Sequence, residues 1–288
     1  MLGRNMYNLD KFVIHLKAAF KPKVERKEYR KKQIAKLVEQ ERNNCTWGIS
    51  YSVFDGEELL EASIRSVRDA VDYINVVYQL KSWYGNPASD NLLSLLYSLK
   101  EKGLIDELIE YKPNIELNAG VQERIKRSLG LKAAKKAGVD YFMTMDCDEF
   151  YREKDIINAQ KIIIEKHLKT TFCPIFCYGL QPTMRYSDLA DFSVPFFSKI
   201  NVFSKLGKNK KSIALVDPTR QVLSSKKDQY YLTNICMHHM SMVRKDINKK
   251  LKNSSNPSVV KNADKNHSSR VSLCNYLNVN SAFNIHLN

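Results

Sequence analysis

The sequence predicts an α/β protein in which helices flank a mostly parallel sheet. The first observation is that β-rich and helical segments alternate regularly between Trp47 and Asp146. This order is typical of a parallel sheet covered by helices. The second is a run of apolar residues at Tyr73–Leu80, which is typical of a buried strand. The third is size, because 288 residues with 43% hydrophobic side chains can form a large core.

Each element of this alternation has its own local signal. Strands are predicted from β-rich runs at Trp47–Phe54, Tyr73–Leu80, Leu108–Tyr111 and Tyr141–Met145. Helices are predicted from apolar periodicity at Glu57–Ala70, Asn91–Lys102 and Gln122–Ala137. Ligands of such sheets bind beyond the carboxyl ends of the strands. The loops that follow Phe54, Leu80 and Met145 are therefore expected to share one rim.

The chain divides into three parts by composition. Residues 1–44 form a basic, mainly helical arm with 12 basic and 5 acidic side chains. Residues 45–250 hold the α/β domain, which becomes irregular and punctuated by proline after about Phe172. Residues 251–288 are a polar tail, rich in Asn and Ser, that we expect to be loosely ordered.

The arm contains two apolar stripes at helical spacing. The first consists of Leu9, Phe12, Val13, Leu16 and Phe20. The second consists of Ile34, Leu37 and Val38. A basic amphipathic helix can lie on an anionic membrane surface. Alternatively, the stripes pack on the domain and leave the lysines in solvent.

Charge and cysteine usage limit the class of protein. The 46 basic and 31 acidic residues give a net charge of +15 and indicate a polyanionic partner. No apolar run is long enough to span a membrane, and the first residues do not form a secretory signal. The six cysteines are scattered without a CxxC pair. Reduced thiols in a cytoplasm are therefore expected.

The sharpest motif is Asp146-Cys147-Asp148-Glu149, directly after an apolar strand. In an extended backbone, side chains at i and i+2 project to the same side. Two carboxylates so placed can bind Mg²⁺ or Mn²⁺ and bridge it to a diphosphate. Asp146 and Asp148 are therefore predicted metal ligands on an exposed loop; the alternative is an acidic turn that closes the strand.

The second motif is the pair His238-His239, which follows a β-like run at Tyr230–Met237. A neutral imidazole can complete a metal shell begun by carboxylates, and both histidines are candidate ligands. Arg244 and Lys245, just downstream, could neutralise phosphate oxygens. The alternative is that both histidines are structural.

Residues 47–150 resemble the nucleotide-binding half of GT-A fold glycosyltransferases, close to the family 2-like bacterial enzymes. The segment from Ile49 to Val67 resembles their first strand, Tyr-Asn turn and helix, with Phe54-Asp55 at the turn. The segment from Asn118 to Phe150 resembles their Asn-x-Gly, basic helix and DxD region. The matching positions there are Asn118, Gly120, Arg127, Gly130, Asp140, Tyr141, Asp146 and Asp148.

The resemblance implies a GT-A-like fold and a nucleotide-sugar donor. The residues expected to bind the donor are Tyr51, Phe54, Asp55, Gln79, Asn118, Arg127, Asp146, Arg244 and Lys245. The family's Asp-Asp-Gly-Ser cluster after the second strand is replaced here by the segment from Tyr78 to Gly85, in which Gln79 could bind a base or ribose. The family's Glu-Asp pair that supplies the catalytic base has no clear equivalent. Asp217 and Asp191 are the candidates, although Asp217 could be a turn residue.

The predicted function is a metal-dependent glycosyltransferase that uses Mn²⁺ or Mg²⁺. A divalent ion and cationic side chains would stabilise the charge that develops on the departing diphosphate. A UDP-sugar is the first choice of donor, and the acceptor is a glycan or a lipid-linked or lipopolysaccharide-type molecule. The expected location is cytoplasmic, with peripheral contact at the inner face of an anionic membrane. The alternatives are a nucleotidyl- or phosphosugar transferase and a basic nucleic-acid-binding protein, but no nucleic-acid-binding signature is present.

Overall fold

The computed structural model describes residues 2–179, 181–247, 250 and 253. It shows a mixed α/β protein with a large, mostly parallel sheet flanked by helices and a smaller second sheet. The fold class predicted from the sequence is therefore confirmed. In the part of the chain that is described, no helix is long and apolar enough to cross a membrane.

The strands form two sheets. In chain order they are β1 (Trp47–Val53), β2 (Tyr73–Tyr78), β3 (Glu107–Glu110), β4 (Tyr141–Asp146), β5 (Glu149–Phe150), β6 (Thr170–Cys173), β7 (Ile175–Gly179), β8 (Arg185–Leu189), β9 (Val194–Lys199), β10 (Gln229–Tyr231) and β11 (Met237–Met242). The large sheet has the order β10-β6-β9-β4-β1-β2-β3, and the small sheet has the order β5-β11-β7-β8.

In the described residues, six α-helices accompany the sheets. They are α1 (Leu2–Ala19), α2 (Arg26–Asn44), α3 (Glu57–Arg65), α4 (Leu92–Glu101), α5 (Ala119–Lys136) and α6 (Glu153–Glu165). The predicted helix at Glu57–Ala70 is shorter than expected, because α3 ends at Arg65 and a 3₁₀ turn covers Arg68–Ala70.

The centre of the large sheet is parallel. β1 pairs in parallel with β2 and β4, and β2 pairs in parallel with β3. β9 is antiparallel to both β4 and β6. Nearly every residue of β1, β2 and β4 is buried, as expected for strands covered on both faces. The carboxyl ends of β1 and β4 meet, since Ser52 is in register with Asp146.

Helix α5 lies close to the sheet at Gly130. Ser50 Oγ donates to Asn75 Oδ1 at 2.6 Å, and Asn75 Nδ2 donates to the Gly130 carbonyl at 3.0 Å. A Cβ atom at position 130 would collide with the Ser50 hydroxyl. The absence of a side chain at Gly130 therefore permits this contact, which fixes how α5 approaches the strand ends.

The small sheet places β11, the strand that contains both His238 and His239, next to the end of β4. β11 pairs antiparallel with β5, so that His239 is opposite Glu149, and it pairs in parallel with β7. Met240 N donates to the Asp148 carbonyl at 2.7 Å. The sequence predicts one β-like run at Tyr230–Met237, whereas the structure has two strands there, β10 and β11, in different sheets.

The predicted basic arm forms two helices, α1 and α2, that contact each other. The second half of α2 packs into the main core through Leu37 and Val38, and Ile34 contacts the same core. Trp47 Nε1 also donates to the Arg42 carbonyl at 3.1 Å. The stripe formed by Leu9, Phe12, Leu16 and Phe20 does not pack on the core, since all four side chains are exposed. The packing alternative is therefore wrong for these four residues.

Candidate active site

A cavity of about 330 Å³ lies at the carboxyl edge of the parallel strands. Phe54 and Asp55 follow β1, Trp83 follows β2, and Asp146 ends β4; all four line the cavity. The expectation that these three loops share a rim is confirmed. The remaining walls come from α5, from the segments before β9 and around Asp217, and from β11.

Asp146 is paired with two arginines from separate elements. Its Oδ2 lies 3.0 Å from Arg127 Nη2 on α5 and 3.8 Å from Arg220 Nη1. Its side chain remains 31% exposed. Burial alone would raise the pKa of Asp146, but Arg127 and Arg220 outweigh burial and hold the pKa below its ordinary value. The carboxylate is therefore ionised at neutral pH.

Asp148 is more enclosed than the sequence suggests. The residue is only 1% exposed, which corrects the expectation that both carboxylates lie on an exposed loop. Its Oδ2 accepts from Arg244 Nη2 at 2.6 Å and from Lys250 Nζ at 2.8 Å. Burial would raise the pKa of Asp148, but Lys250 and Arg244 outweigh burial and hold the pKa well below its usual value. Asp148 thus acts as a buried anchor for two cations.

Glu149 completes the acidic run and is buried with its own partner. Arg220 donates to it through Nη1 at 2.5 Å and Nη2 at 2.6 Å. The same guanidinium donates to the Thr144 carbonyl at 2.8 Å, and Glu149 Oε2 accepts from Asp146 N at 3.1 Å. Arg220 therefore fixes the backbone on both sides of the strand end that presents Asp146.

The two histidines of β11 face opposite ways, as successive residues of a strand do. His239 lines the cavity, and its Nε2 lies 3.7 Å from Asp148 Oδ1. His238 does not line it and instead pairs through Nδ1 with the Tyr178 hydroxyl at 2.7 Å. Burial, with the Arg152 and Arg185 cations, lowers the pKa of His238 to about 4. Of the two predicted ligands, the structure brings His239 to the aspartates, and the placement of His238 does not fit a ligand.

Helix α5 presents unused hydrogen-bond donors at the cavity. Arg127 is buried, and its Nη2 also contacts Glu123 Oε1 at 2.8 Å. Its Nε and Nη1 have no hydrogen-bond partner among the residues that the structure describes. Buried donors without an acceptor are costly, so an anion in the cavity would stabilise Arg127.

Lys126 is the neighbouring buried cation. Its Nζ donates to the Val53 carbonyl at 2.8 Å and lies 5.7 Å from the centre of the Trp83 ring. Burial lowers the pKa of Lys126 to about 7, and the adjacent Arg127 acts in the same direction. A bound anion would restore its positive charge.

The two candidate bases differ in position. Asp217 lines the cavity, and its Oδ1 accepts from Thr219 N and from Thr219 Oγ1, both at 2.8 Å. It is therefore a turn residue that also faces the cavity. Asp191 is exposed and is not among the lining residues, although its neighbour Phe192 is.

The other predicted donor-binding residues divide between the cavity and the scaffold. Tyr51 and Gln79 are completely buried away from the lining; the Tyr51 hydroxyl pairs with Ser63 Oγ at 3.0 Å, and Gln79 Nε2 donates to the Lys81 carbonyl at 2.8 Å. Asn118 caps α5 by accepting from Gly120 N at 2.9 Å. Lys245 is exposed and also lies outside the lining. A donor-binding role for these four residues does not fit their placement in the structure.

The side-chain atoms at this site could supply only part of the coordination shell of a divalent metal ion. In the described residues, no three His, Cys, Asp or Glu side chains are grouped closely enough to hold a metal. Asp148 Oδ2 is occupied by Arg244 and Lys250, which leaves Oδ1 and the nearby His239 Nε2 as two potential ligands. One oxygen and one imidazole nitrogen suit Mn²⁺ better than Mg²⁺, and phosphate oxygens would have to supply other ligands.

Several residues of the site are not found by sequence reasoning. They are Trp83, Glu123, Lys126, Glu149, Arg220 and Lys250. Glu123 and Arg127 are one helical turn apart on α5, so their shared face could have been read from the spacing. Arg220 follows Asp217 closely but has no motif of its own. Lys250 lies 102 residues after Asp148, and no local pattern links the two.

Comparisons with known proteins give remote structural likenesses. No family model and no curated protein sequence matches this chain. S. aureus TarS 1–349 is similar at 10% identity and a TM-score of 0.38, over 79% of this chain and 76% of that one. Against a longer TarS structure the match covers 46% of this chain and 22% of that protein.

Two further solved structures are similar over about half of the chain. Glucosyl-3-phosphoglycerate synthase from Mycobacterium tuberculosis, in complex with Mn²⁺, UDP and phosphoglyceric acid, matches at 12% identity and a TM-score of 0.37, over 57% of this chain and 59% of that one. The mannosyltransferase PcManGT from Pyrobaculum calidifontis, with GDP-Man and Mn²⁺, matches at 14% identity and a TM-score of 0.32, over 44% and 34%. At these scores the likeness is remote.

In fold class, the chain is a mixed α/β protein. Its mostly parallel sheet, with helices on its faces, carries two aspartates at the carboxyl edge. Its structural neighbours include proteins solved with UDP, UDP-GlcNAc and GDP-Man.

Proposed function

We propose that this protein is a glycosyltransferase that moves a sugar from a nucleotide-sugar donor to a glycan or lipid-linked acceptor, as in polysaccharide biosynthesis. The observation that carries the proposal is the cavity at the carboxyl edge of the sheet, where Asp146 and Asp148 are paired with four cations, Arg127, Arg220, Arg244 and Lys250. Such sheets bind ligands at this edge, and the Nε and Nη1 groups of Arg127, which have no partner among the described residues, suit the oxygens of a nucleoside diphosphate.

The diphosphate would lie against the cations of the cavity. Arg127 offers two buried N–H groups that have no partner in the described residues, and Lys126 is next to it. Charge-assisted hydrogen bonds from these groups would strengthen as charge develops on the departing diphosphate. They would therefore stabilise the transition state more than the bound donor.

The base of the nucleotide would lie between the loops that follow β1 and β2. Phe54 and Trp83 line the cavity there and provide flat apolar surfaces. Stacking on such rings tolerates any base, so the aromatic residues themselves do not select UDP. UDP remains our first choice, in keeping with the family resemblance of residues 47–150.

The acceptor would approach from the opposite wall. Ser193 N donates to the Leu215 carbonyl at 2.8 Å, which brings Phe192 and Asp217 to the same side. Phe192 and Leu215 are both exposed apolar residues beside the carboxylate. Asp217 is the candidate to take a proton from the acceptor hydroxyl.

A divalent ion would bind at Asp148 Oδ1 and His239 Nε2, the two potential metal-ligand atoms. Mn²⁺ is a better candidate for this ion than Mg²⁺. When bound, such an ion would supply electrostatic stabilisation of the diphosphate. The roles of Arg127, Lys126 and Asp217 do not depend on it. We further propose a cytoplasmic location with peripheral contact at a membrane.

A thermal-shift panel tests the proposal. UDP-, GDP-, CMP- and dTDP-linked sugars are added to the full chain with and without Mn²⁺. A true donor raises the melting temperature according to RT ln(1 + [L]/Kd). Asp148→Asn should abolish the part of the rise that requires Mn²⁺, and Asp90→Asn, which changes an exposed loop aspartate, is the matched control.

Product analysis then separates the enzyme classes. Release of a nucleoside diphosphate from a stabilising donor supports a glycosyltransferase. Release of pyrophosphate from a nucleoside triphosphate and a sugar phosphate would identify a nucleotidyltransferase instead. No stabilisation by any nucleotide sugar would refute the proposed function.

A further inference from the structure

Helix α1 has two apolar faces, and only one of them packs. Tyr7 and Ala18 are buried against the rest of the protein, with Ile14 partly buried beside them. Leu9, Phe12 and Leu16 lie on the other face at spacings of three and four residues. Their exposed fractions are 61%, 63% and 52%. This outward face is a continuous apolar stripe on a described helix of the fold.

The stripe continues onto the tip of the α1–α2 pair. Phe20 and Val24 in the connecting turn are 86% and 92% exposed. No residue between 19 and 36, all of which the structure describes, is buried. The buried part of α2 begins at Leu37. Among the described residues, the tip therefore presents two apolar side chains, Phe20 and Val24, that are almost fully exposed.

Cations surround these apolar residues. Between residues 20 and 32 the chain has seven Lys and Arg side chains and only two Glu side chains. Lys21 and Lys23 lie between Phe20 and Val24 in the sequence. Apolar residues inserted at the acyl boundary, with Lys and Arg at the level of the headgroups, are the arrangement of an interfacial membrane helix.

We propose that the outward face of α1 and the tip at Phe20–Val24 dock on an anionic phospholipid bilayer. Phe12, Phe20 and Val24 would insert among the acyl chains, while Lys21 and Lys23 would contact lipid phosphates. Docking itself does not depend on the proposed function. Its purpose does rest on that function, since docking would hold the enzyme at the surface that presents a lipid-linked acceptor.

The charge and the apolar surface of this region together favour an anionic bilayer over a second copy of the chain or a nucleic acid. A second copy of the chain would bring two clusters of net positive charge together, and protein interfaces are depleted of lysine at their centre. A nucleic acid would satisfy the cations but would leave the apolar stripe in water. An anionic bilayer satisfies both sets of side chains at once.

Co-sedimentation with vesicles tests the proposal on the full chain. Vesicles of phosphatidylcholine alone are compared with vesicles that also contain phosphatidylglycerol. The unmodified protein should bind the anionic vesicles and release them at high salt. Phe20→Ser with Val24→Ser should weaken binding at least about tenfold, since each side chain loses its burial. Tyr97→Ser with Ile115→Ser, which changes two apolar residues elsewhere that are 54% and 67% exposed, should leave binding unchanged.

A charge-reversal pair gives the second readout. Lys21→Glu with Lys23→Glu should weaken binding to anionic vesicles by about fivefold for each cation removed. Lys132→Glu with Lys136→Glu, two exposed lysines of α5, is the control with the same change in net charge. Relative to the unmodified protein, which contains Trp47 and Trp83, the emission of Phe20→Trp should shift to the blue on anionic vesicles, and that of Ile115→Trp should not.

Failure has clear forms. The proposal is overturned if the unmodified protein does not bind anionic vesicles, or if the tip variants bind as well as the controls do. Conversion of a dimer to a monomer by Phe12→Ser, without vesicle binding, would assign the stripe to a second copy. Donor binding is measured without vesicles and should be equal in all variants. If no donor binds but the tip variants still lose vesicle binding, the proposed function fails and the membrane surface stands.

Discussion

Arg220 and Glu149 are joined by two parallel contacts inside the domain, Nη1 to Oε1 at 2.5 Å and Nη2 to Oε2 at 2.6 Å. Both side chains are buried, and Arg220 also donates to the carbonyl of Thr144 on β4. Because Glu149 in turn accepts from Asp146 N, this pair holds the strand end that presents the acidic motif.

Glu149→Gln should therefore destabilise the protein by about 3–5 kcal/mol, because it removes the carboxylate that Arg220 contacts directly and leaves the buried Arg220 only Asp146, at 3.8 Å. Urea unfolding followed by circular dichroism measures the change. Arg65→Gln, which removes an exposed ion pair with Glu61, is the control and should cost less than about 1 kcal/mol. Equal unfolding midpoints for Glu149→Gln and the unmodified protein would contradict this role.

Arg127→Gln should weaken nucleotide binding by about 10- to 100-fold, since it removes charge-assisted bonds worth about 1.5–3 kcal/mol each. Isothermal titration with the donor identified by thermal shift gives the affinity. Arg124→Gln changes an exposed arginine on the same helix and should bind normally. If the two variants lose affinity equally, the effect is one of overall charge and not of the Arg127 geometry.

Lys126 predicts a pH dependence of stability. Its pKa is about 7 in the folded protein and near 10.4 in an unfolded chain. Between these values the unfolded chain binds more protons, so the free energy of unfolding rises with pH by about 1.4 kcal/mol per unit. Below pH 7 both states are protonated, and this contribution no longer changes.

Lys126→Met should remove that rise, which urea unfolding between pH 7 and about 9.5 would detect. Lys136→Met, at an exposed position of α5, should keep it. Parallel pH profiles for the unmodified protein and Lys126→Met would show that Lys126 keeps an ordinary pKa in the fold.

Gly130→Ala should destabilise the protein by about 1–3 kcal/mol, because the new methyl group would collide with Ser50 and Asn75. Thermal unfolding of the variant measures the loss. Gly120→Ala, on the same helix, meets no atom closer than 3.4 Å and should be close to neutral. A stable Gly130→Ala protein would mean that α5 can move away from β1 and β2 at little cost.

The fold and the position of the site follow from local patterns in the sequence. The alternation of β and α signals gives the parallel order of β1, β2, β3 and β4, since each helix returns the chain to the same edge. That order alone places Phe54 and Asp146 together. The identity of the motif residues then suggests carboxylate chemistry at this edge.

The partners of the aspartates could not be predicted in the same way. Which histidine of β11 faces the cavity depends on its pairing with β5, and nothing in the sequence specifies that register. Tyr51 and Gln79 were assigned to the donor by resemblance, but both are buried in the core. In the first helix, periodicity located the stripe of Leu9 and Phe12 but could not tell which face the protein covers.

Asp146 and Asp148 are two residues apart, yet their counter-ions come from different parts of the chain. Arg127 and Arg220 come before the last strand, whereas Arg244 and Lys250 come after it. A recombinant version that stops at Val243 would keep all the described strands and still strip a buried carboxylate of both its cations. The C-terminal boundary of any shortened protein should therefore be placed beyond Lys250, although the last described strand ends at Met242.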